Sequence, residues 1–360
     1  MNLKHLHLHH FKSYSEIEID FSESINGIVG MNGCGKTNLL DAIYCMSLTK
    51  SAFFSTDAHL IKDGETFFAI KGQWNTGKII VSLKKGETKK ISFDGSEYER
   101  VSEHIGKLPI VLIQPDDLDL IKEGSEVRRK FINVLISQLD QEYLTNLMQY
   151  NKLLKQRNAL LKQYRETRHI DKDLVETYDV QLLSLNSFIY RKRKEVCLLI
   201  SSEIEDFYKQ MSNGGESVSF IYQSQCSSDG FEKEYKDAYP QDLYKERTTM
   251  GTHKDDFIFK IKEKSLKKMG SQGQKKSYVT ALQLAKYKVM EEQLKVKPLL
   301  LLDDIFDKLD EGRIKRLLEL VKSKLFGQIF ITDASKQRFE YHIKQITTDY
   351  NLIEIKDDNH

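Results

Sequence analysis

The sequence predicts an α/β protein: a nucleotide-binding lobe built on a mostly parallel sheet, with an α-helical lobe inserted into it. Three observations predict this. The run Gly30-Met31-Asn32-Gly33-Cys34-Gly35-Lys36-Thr37 lies between a short β-branched stretch and a stretch of helical spacing. The run Pro298-Leu299-Leu300-Leu301-Leu302 ends in Asp303 and Asp304, the pattern of a strand buried on both faces of a parallel sheet. Between them, residues 125–211 contain no proline and place Leu139, Tyr143, Leu147, Tyr150 and Leu154 at helical period.

Each element follows from local pattern. The opening alternates His5, His7 and His9 with Leu6 and Leu8, as a half-exposed first strand does. The three histidines could ligate a metal only with further donors, and no Asp, Glu or Cys cluster is evident beside them in the sequence. Ile25–Val29 reads as a buried strand, and Thr37–Leu48 as a helix with Leu40, Ile43, Tyr44 and Ser47 near one face. Short strands follow at 67–71, 78–83 and 89–93, separated by glycine turns. After the helical block, strand character returns at 213–223 and 257–261. A helix over 276–295, the acidic strand, a helix over 311–324 and a strand over 328–332 complete an alternating α/β order. Three segments result: 1–122, the first part of the nucleotide lobe; 123–250, mainly helical; and 251–360, its completion.

Composition narrows the class. The chain has 360 residues, 40% hydrophobic and 30% charged, which suits two or three lobes of a soluble protein. A net charge of +2 is too small to argue nucleic-acid binding, so any basic surface must come from local clusters. Lys152, Lys155 and Arg157 form one and Arg191–Lys194 another, each readable as a solvated helix face or as a phosphate contact. The four cysteines show no C-x-x-C spacing, which favours a reducing compartment and argues against zinc. No stretch approaches the ~18 apolar residues of a membrane span, and the start lacks a secretory pattern. A cytoplasmic protein is expected.

The chemistry resides in three motifs. In the first, the glycines let the backbone N–H groups of residues 30–35 turn toward phosphates, since only glycine reaches the needed dihedrals without a Cβ clash. Lys36 is expected to reach the β- and γ-phosphates, Thr37 to ligate Mg²⁺, and Asn38 to line the helix start. In the second, Asp303 at a strand end is a Mg²⁺ ligand opposite Thr37, and Asp304 orients or deprotonates the attacking water. In the third, Ser271-Gln272-Gly273-Gln274 opens a helix and offers a hydroxyl and free N–H groups to an anion. Its place ahead of the acidic strand matches the signature of ABC-type ATPases. There, the signature of one subunit completes the phosphate site of another. ATP, Mg²⁺ and an ATP-dependent head-to-tail homodimer follow. The absence of an N-K-x-D guanine-reading motif argues against GTP.

With the motifs in this order, the chain resembles the RecF family, short relatives of SMC-type ATPases. The likeness runs through Leu6-x-Leu8-x-x-Phe11-Lys12-Ser13-Tyr14, with Lys12 where Arg is usual. It continues in Gln114-Pro115-Asp116-Asp117-Leu118, Arg128-Arg129-x-Phe131, Gly251-Thr252-His253-Lys254-Asp255-Asp256 and Leu309-Asp310. At Thr252 and Lys254 the family prefers Pro and Arg, and a Lys loses the planar bidentate donor of Arg. The resemblance implies an ABC/SMC-type head and catalytic roles for Lys36, Asp304 and Gln114, the last as a water- or Mg²⁺-sensing glutamine. Thr332-Asp333 stands near the switch-histidine position, without a histidine. It further implies weak DNA-stimulated ATP hydrolysis, binding to double-stranded or gapped DNA, and recombinase loading with RecR and RecO. The alternatives are a nucleotide-binding subunit of an ABC transporter, a small-molecule kinase, and a binder that never hydrolyses.

Overall fold

The structure, a computed structural model, describes residues 1–167, 169–212 and 215–356. These form two compact units: residues 1–118, 206–215 and 272–360 make the first, and residues 119–205 and 216–271 the second. The second unit therefore runs on to Ser271, past the boundary at 251 that the sequence suggested, because residues 256–261 pair within it rather than in the nucleotide lobe.

In the first unit, a five-stranded sheet runs in the order Tyr350–Glu354, Ile25–Val29, Ile329–Asp333, Leu299–Leu302, Ile110–Ile113, and every pair is parallel. All four leucines of Leu299–Leu302 are completely buried, each contributing about 1.5–3 kcal/mol. Parallel register brings the C-terminal strand ends to one edge. Leu302 lies opposite both Ile113 and Ile331, and Val29 lies opposite Asp333. The residues that follow those positions (30, 114 and 303) are thereby gathered, although the chain separates them widely.

A second, antiparallel sheet of the same unit has the order Tyr14–Asp20, Leu3–Phe11, Phe67–Trp74, Gly77–Lys84, Lys90–Phe93, Ser96–Glu97. Leu6 and Leu8 are buried on one face, as the alternation predicts. The other face corrects the sequence reading: pairing sets Asp20, Glu18 and Glu16 opposite His5, His7 and His9. His5 Nδ1 meets Asp20 at 2.8 Å and His7 Nε2 meets Glu16 at 2.8 Å, so these histidines have carboxylate partners that local sequence does not reveal.

The second unit combines the helices Ser125–Leu139 and Gln141–Thr167, most of the helix Lys172–Met211, and a three-stranded sheet, Lys264–Ser265, Asp256–Ile261, Val218–Gln223. The apolar repeat that begins at Leu139 spans a helix break. Asp140 leaves the helical region and its carboxylate accepts the Tyr143 N–H at 2.9 Å, capping the next helix.

Two of the clustered cations prove to be interior. Arg157 is fully buried, with Nε 2.5 Å from Asp179 and Nη1 2.7 Å from Asp242. Arg193 is buried too, donating to Asp255 at 2.6 Å, to the Thr252 carbonyl at 2.7 Å and to Asn133 at 3.0 Å. Burial pushes the Asp255 carboxyl up while Arg193 draws it down. The segment 251–256 is thus stitched into the unit by Arg193 and by the fork of Arg128 on Asp256 at 2.7 and 3.1 Å. Replacing Arg193 by Ala strands the buried Asp255 charge and is expected to cost about 3–5 kcal/mol in denaturant unfolding. The exposed neighbour Arg191→Ala should stay within about 0.5 kcal/mol of the parent.

Candidate nucleotide site

The loop 30–35 takes its form from three glycines. Gly33 and Gly35 have φ of 88° and 96°, values that a side chain rarely tolerates. At Gly30 an added Cβ would meet the Ile355 carbonyl at 2.5 Å and Cys34 Sγ at 2.6 Å. The helix Lys36–Leu48 then starts without any side-chain cap, leaving its first N–H groups available to an anion. Tyr14 braces the turn by donating its hydroxyl to the Gly35 carbonyl at 3.0 Å, and Asn38 donates to Ser13 Oγ at 2.9 Å. Met31, Asn32 and Gly33 are exposed at the tip, whereas Cys34 is buried. The Lys36 ammonium curls into the loop, 2.8 Å from the carbonyls of both Gly30 and Met31.

Thr37 and Asp303 meet. The Thr37 hydroxyl lies 3.2 and 3.3 Å from the two Asp303 oxygens, across 266 residues of chain. Asp303 also accepts from Thr332 Oγ1 at 2.7 Å. Burial raises its carboxyl above the ordinary range, the Thr332 bond opposes this, and the adjacent Asp304 charge adds to it. Hydroxyl and carboxylate together form a hard-oxygen donor set, which fits Mg²⁺.

Asp304 sits in the left-handed region (φ 47°), with its N–H donating to Thr332 Oγ1 at 2.9 Å. The Thr332 hydroxyl therefore ties both carboxylate residues to the neighbouring strand, a role that sequence reasoning left open. Asp333 is taken up elsewhere: it is completely buried and holds the Arg338 guanidinium at 2.8 and 2.9 Å. Gln114, at the end of the next strand, lines a cleft with Asp303, Ile305 and Leu309. Its Oε1 is buried without a hydrogen-bond partner among the described residues. Its N–H is anchored at 3.1 Å on Asp117, whose carboxyl burial pushes up to about 7. Asp117 also accepts from Gln283 at 2.8 Å. This brace beneath Gln114 carries no sequence signal beyond an acidic turn.

Two further residues highlighted by the sequence have other surroundings. Lys12 is committed to Asp41 of the phosphate-loop helix, at 2.5 Å and nearly without exposure, so its charge is spent within the lobe. Ser271 is exposed and immediately precedes the helix Gln272–Leu294, with Gln272 as the first helical residue and Gln274 within its first turn. The atoms nearest a Cβ at Gly273 all belong to Arg313. Arg313 in turn donates to Ser277 Oγ at 2.8 Å and pairs with Asp310. Asp310 caps the helix Glu311–Lys322 by accepting the Arg313 N–H at 3.1 Å. Gly273 and the Leu309-Asp310 turn are therefore linked through one arginine.

Comparison with known proteins agrees with this geometry. The RecF/RecN/SMC N terminal domain family matches residues 2–351. The DNA replication and repair protein RecF of Flavobacterium johnsoniae is 42% identical, with 99% of this chain and 100% of that protein covered. RecF of Cytophaga hutchinsonii is 40% identical, over 98% of this chain and 94% of that protein. Among solved structures, the recombination mediator protein RecF-ATPrS of the RecFOR pathway superposes with a TM-score of 0.89 at 29% identity, covering 99% of this chain and 96% of that one. An Smc head domain from Pyrococcus furiosus has the same fold, with a TM-score of 0.54 at 21% identity. These likenesses disfavour the transporter alternative, and no described helix is long and apolar enough to cross a membrane. With its phosphate loop, acidic strand end and glutamine strand end converging as described, and with full-length likeness at this identity, the chain belongs to the RecF family.

Proposed function

We propose that this chain is an ATP-dependent DNA-binding protein of replication and recombinational repair, working as a nucleotide-induced dimer that hydrolyses ATP slowly. The observation that carries the reading is the approach of Thr37 to Asp303, because it assembles a triphosphate and metal site from both ends of the chain. The N–H groups of residues 30–35 and the helix start bind the β- and γ-phosphates, and Lys36 leaves the loop carbonyls to follow them. Thr37 and Asp303 hold Mg²⁺, which when bound supplies charge neutralisation on the phosphate oxygens. Asp304, with its backbone fixed by Thr332 and its carboxylate free of any ion pair among the described residues, orients the attacking water and accepts its proton. Gln114 senses that water from the next strand.

The exposed Ser271 helix start serves a second copy of the chain, closing the partner's phosphate site head to tail. Dimerisation then gathers DNA-binding surface around double-stranded or gapped DNA, and hydrolysis releases it. Structural neighbours described within the RecFOR pathway support RecR and RecO as partners and recombinase loading as the outcome. A reducing, cytoplasmic setting suits four cysteines that are all free. Sedimentation with and without ATP, magnesium and duplex DNA tests this directly. The expected result is a monomer that becomes a dimer with nucleotide and co-sediments with DNA; a monomer under every condition would refute it.

A further inference from the structure

We propose that Lys254, Arg247, Lys245 and Arg129 of the second unit form a binding surface for the phosphodiester backbone of duplex DNA. This rests on the DNA-binding reading above and adds the surface. The four cations come from separate stretches of chain, and named bonds bring those stretches together. Arg129 Nη1 donates to the Asp255 carbonyl at 2.8 Å, one residue from Lys254. His253 Nε2 lies 3.0 Å from the Thr248 carbonyl, which sets Lys254 beside the segment carrying Arg247. Lys245 ends the short helix Tyr239–Lys245, two residues earlier.

The residues that join these stretches are interior. Thr248 is buried and bonded to Arg157 at 2.8 Å and to Asn158 at 2.8 Å, and Thr252 is buried and bonded to Asn186 at 2.7 Å. Lys254, Arg247 and Lys245 are exposed and carry no ion pair among the described residues. Of the carboxylates nearby, Glu126 is exposed and acts on Arg129, whereas three others are engaged elsewhere. Asp242 is buried and held by Arg157, Glu246 pairs with Arg165 at 2.9 Å, and Asp256 holds the Arg128 fork. Burial, and then the charges of Arg247, Arg129 and Lys245, hold the Lys254 ammonium below its ordinary range. Repulsion among neighbouring like charges is offset when an anion with several charges covers them. Long exposed cationic side chains suit a polyanion tracked by point charges, with no base reading required.

None of the four belongs to the clusters that composition suggests. Lys152 and Lys155 are exposed on a helix whose Arg157 faces the interior. They therefore provide a charge-matched control.

The test compares the full-length double variants Lys254→Ala/Arg247→Ala and Lys152→Ala/Lys155→Ala with the parent. Duplex DNA affinity is measured with ATP and magnesium as a function of salt, beside a single-stranded probe of equal length. The first variant is expected to bind duplex on the order of tenfold more weakly near physiological salt, with its log–log salt slope reduced by about two. The second should change the slope by less than half as much, and both should bind ATP as the parent does. Lys254→Arg should retain the parental slope, since a phosphate contact needs only the charge. Equal losses in both double variants, or a loss confined to the single-stranded probe, would overturn this surface while leaving DNA binding itself in place. A parent that binds no duplex at any salt would remove the wider reading and this surface together.

Discussion

Asp304→Asn is expected to stop ATP turnover while preserving ATP binding and the nucleotide-induced dimer. The substitution suits this position for a specific reason. Asp304 occupies the left-handed backbone region, where Asn is among the few residues that sit without strain. Its N–H bond to Thr332 involves the backbone and survives the change. Size and conformation are retained, and only the negative charge is lost. A residue that takes a proton from water in the transition state contributes about 10²–10⁴-fold, so phosphate release should fall by at least about 10²-fold. Because ATP remains uncleaved, the dimer should persist for longer, and sedimentation should show it accumulating. Unchanged phosphate release would remove Asp304 from the chemistry and favour a chain that binds nucleotide without hydrolysing it.

Ser271→Arg should have the second large effect, on assembly rather than on chemistry. The residue is exposed just before a 23-residue helix, so the monomer accommodates a longer side chain, and stability should fall by no more than about 0.5–2 kcal/mol, the cost of a lost helix cap. In the proposed dimer the same position faces a triphosphate and its metal across a closely packed interface. A bulky cation there displaces the hydroxyl and the helix N–H groups, and it brings like charge near Mg²⁺. Dimerisation with ATP should weaken by at least about 100-fold, of the order seen when a central interface group is disrupted, and ATP binding by the monomer should remain near the parental affinity. A variant that dimerises with ATP as the parent does would exclude the head-to-tail arrangement.

How far the sequence reaches is clearest on two helices. Arg157 and Arg193 read as members of surface clusters when charge alone is counted, yet periodicity carried the opposite message. Arg157 lies seven residues beyond Tyr150, and Arg193 falls with Ile189, Val196 and Ile200, on stripes whose apolar members are buried. The burial of both arginines follows the stripe and not the charge count. What periodicity could not supply was the partners. Asp179 and Asp242 lie 22 and 85 residues from Arg157, and no local rule links them.

The nucleotide lobe divides in the same way. Glycines, the Lys-Thr pair, the leucine run and its terminal acids were legible without coordinates, because each encodes a local necessity: a dihedral only glycine adopts, or a strand buried on both faces. They establish the α/β class, the phosphate loop and membership of the head-like ATPases. The tertiary structure alone decided that Thr332 bridges Asp303 and Asp304, that Tyr14 and Asp117 brace the loop and Gln114, that Lys12 is spent on Asp41, and that Lys254 and Arg247 stay exposed without an ion pair among the described residues. Those outcomes depend on strand register and on which charges meet in the interior. Most of these are set by contacts between separate elements of the chain, to which a local pattern is blind.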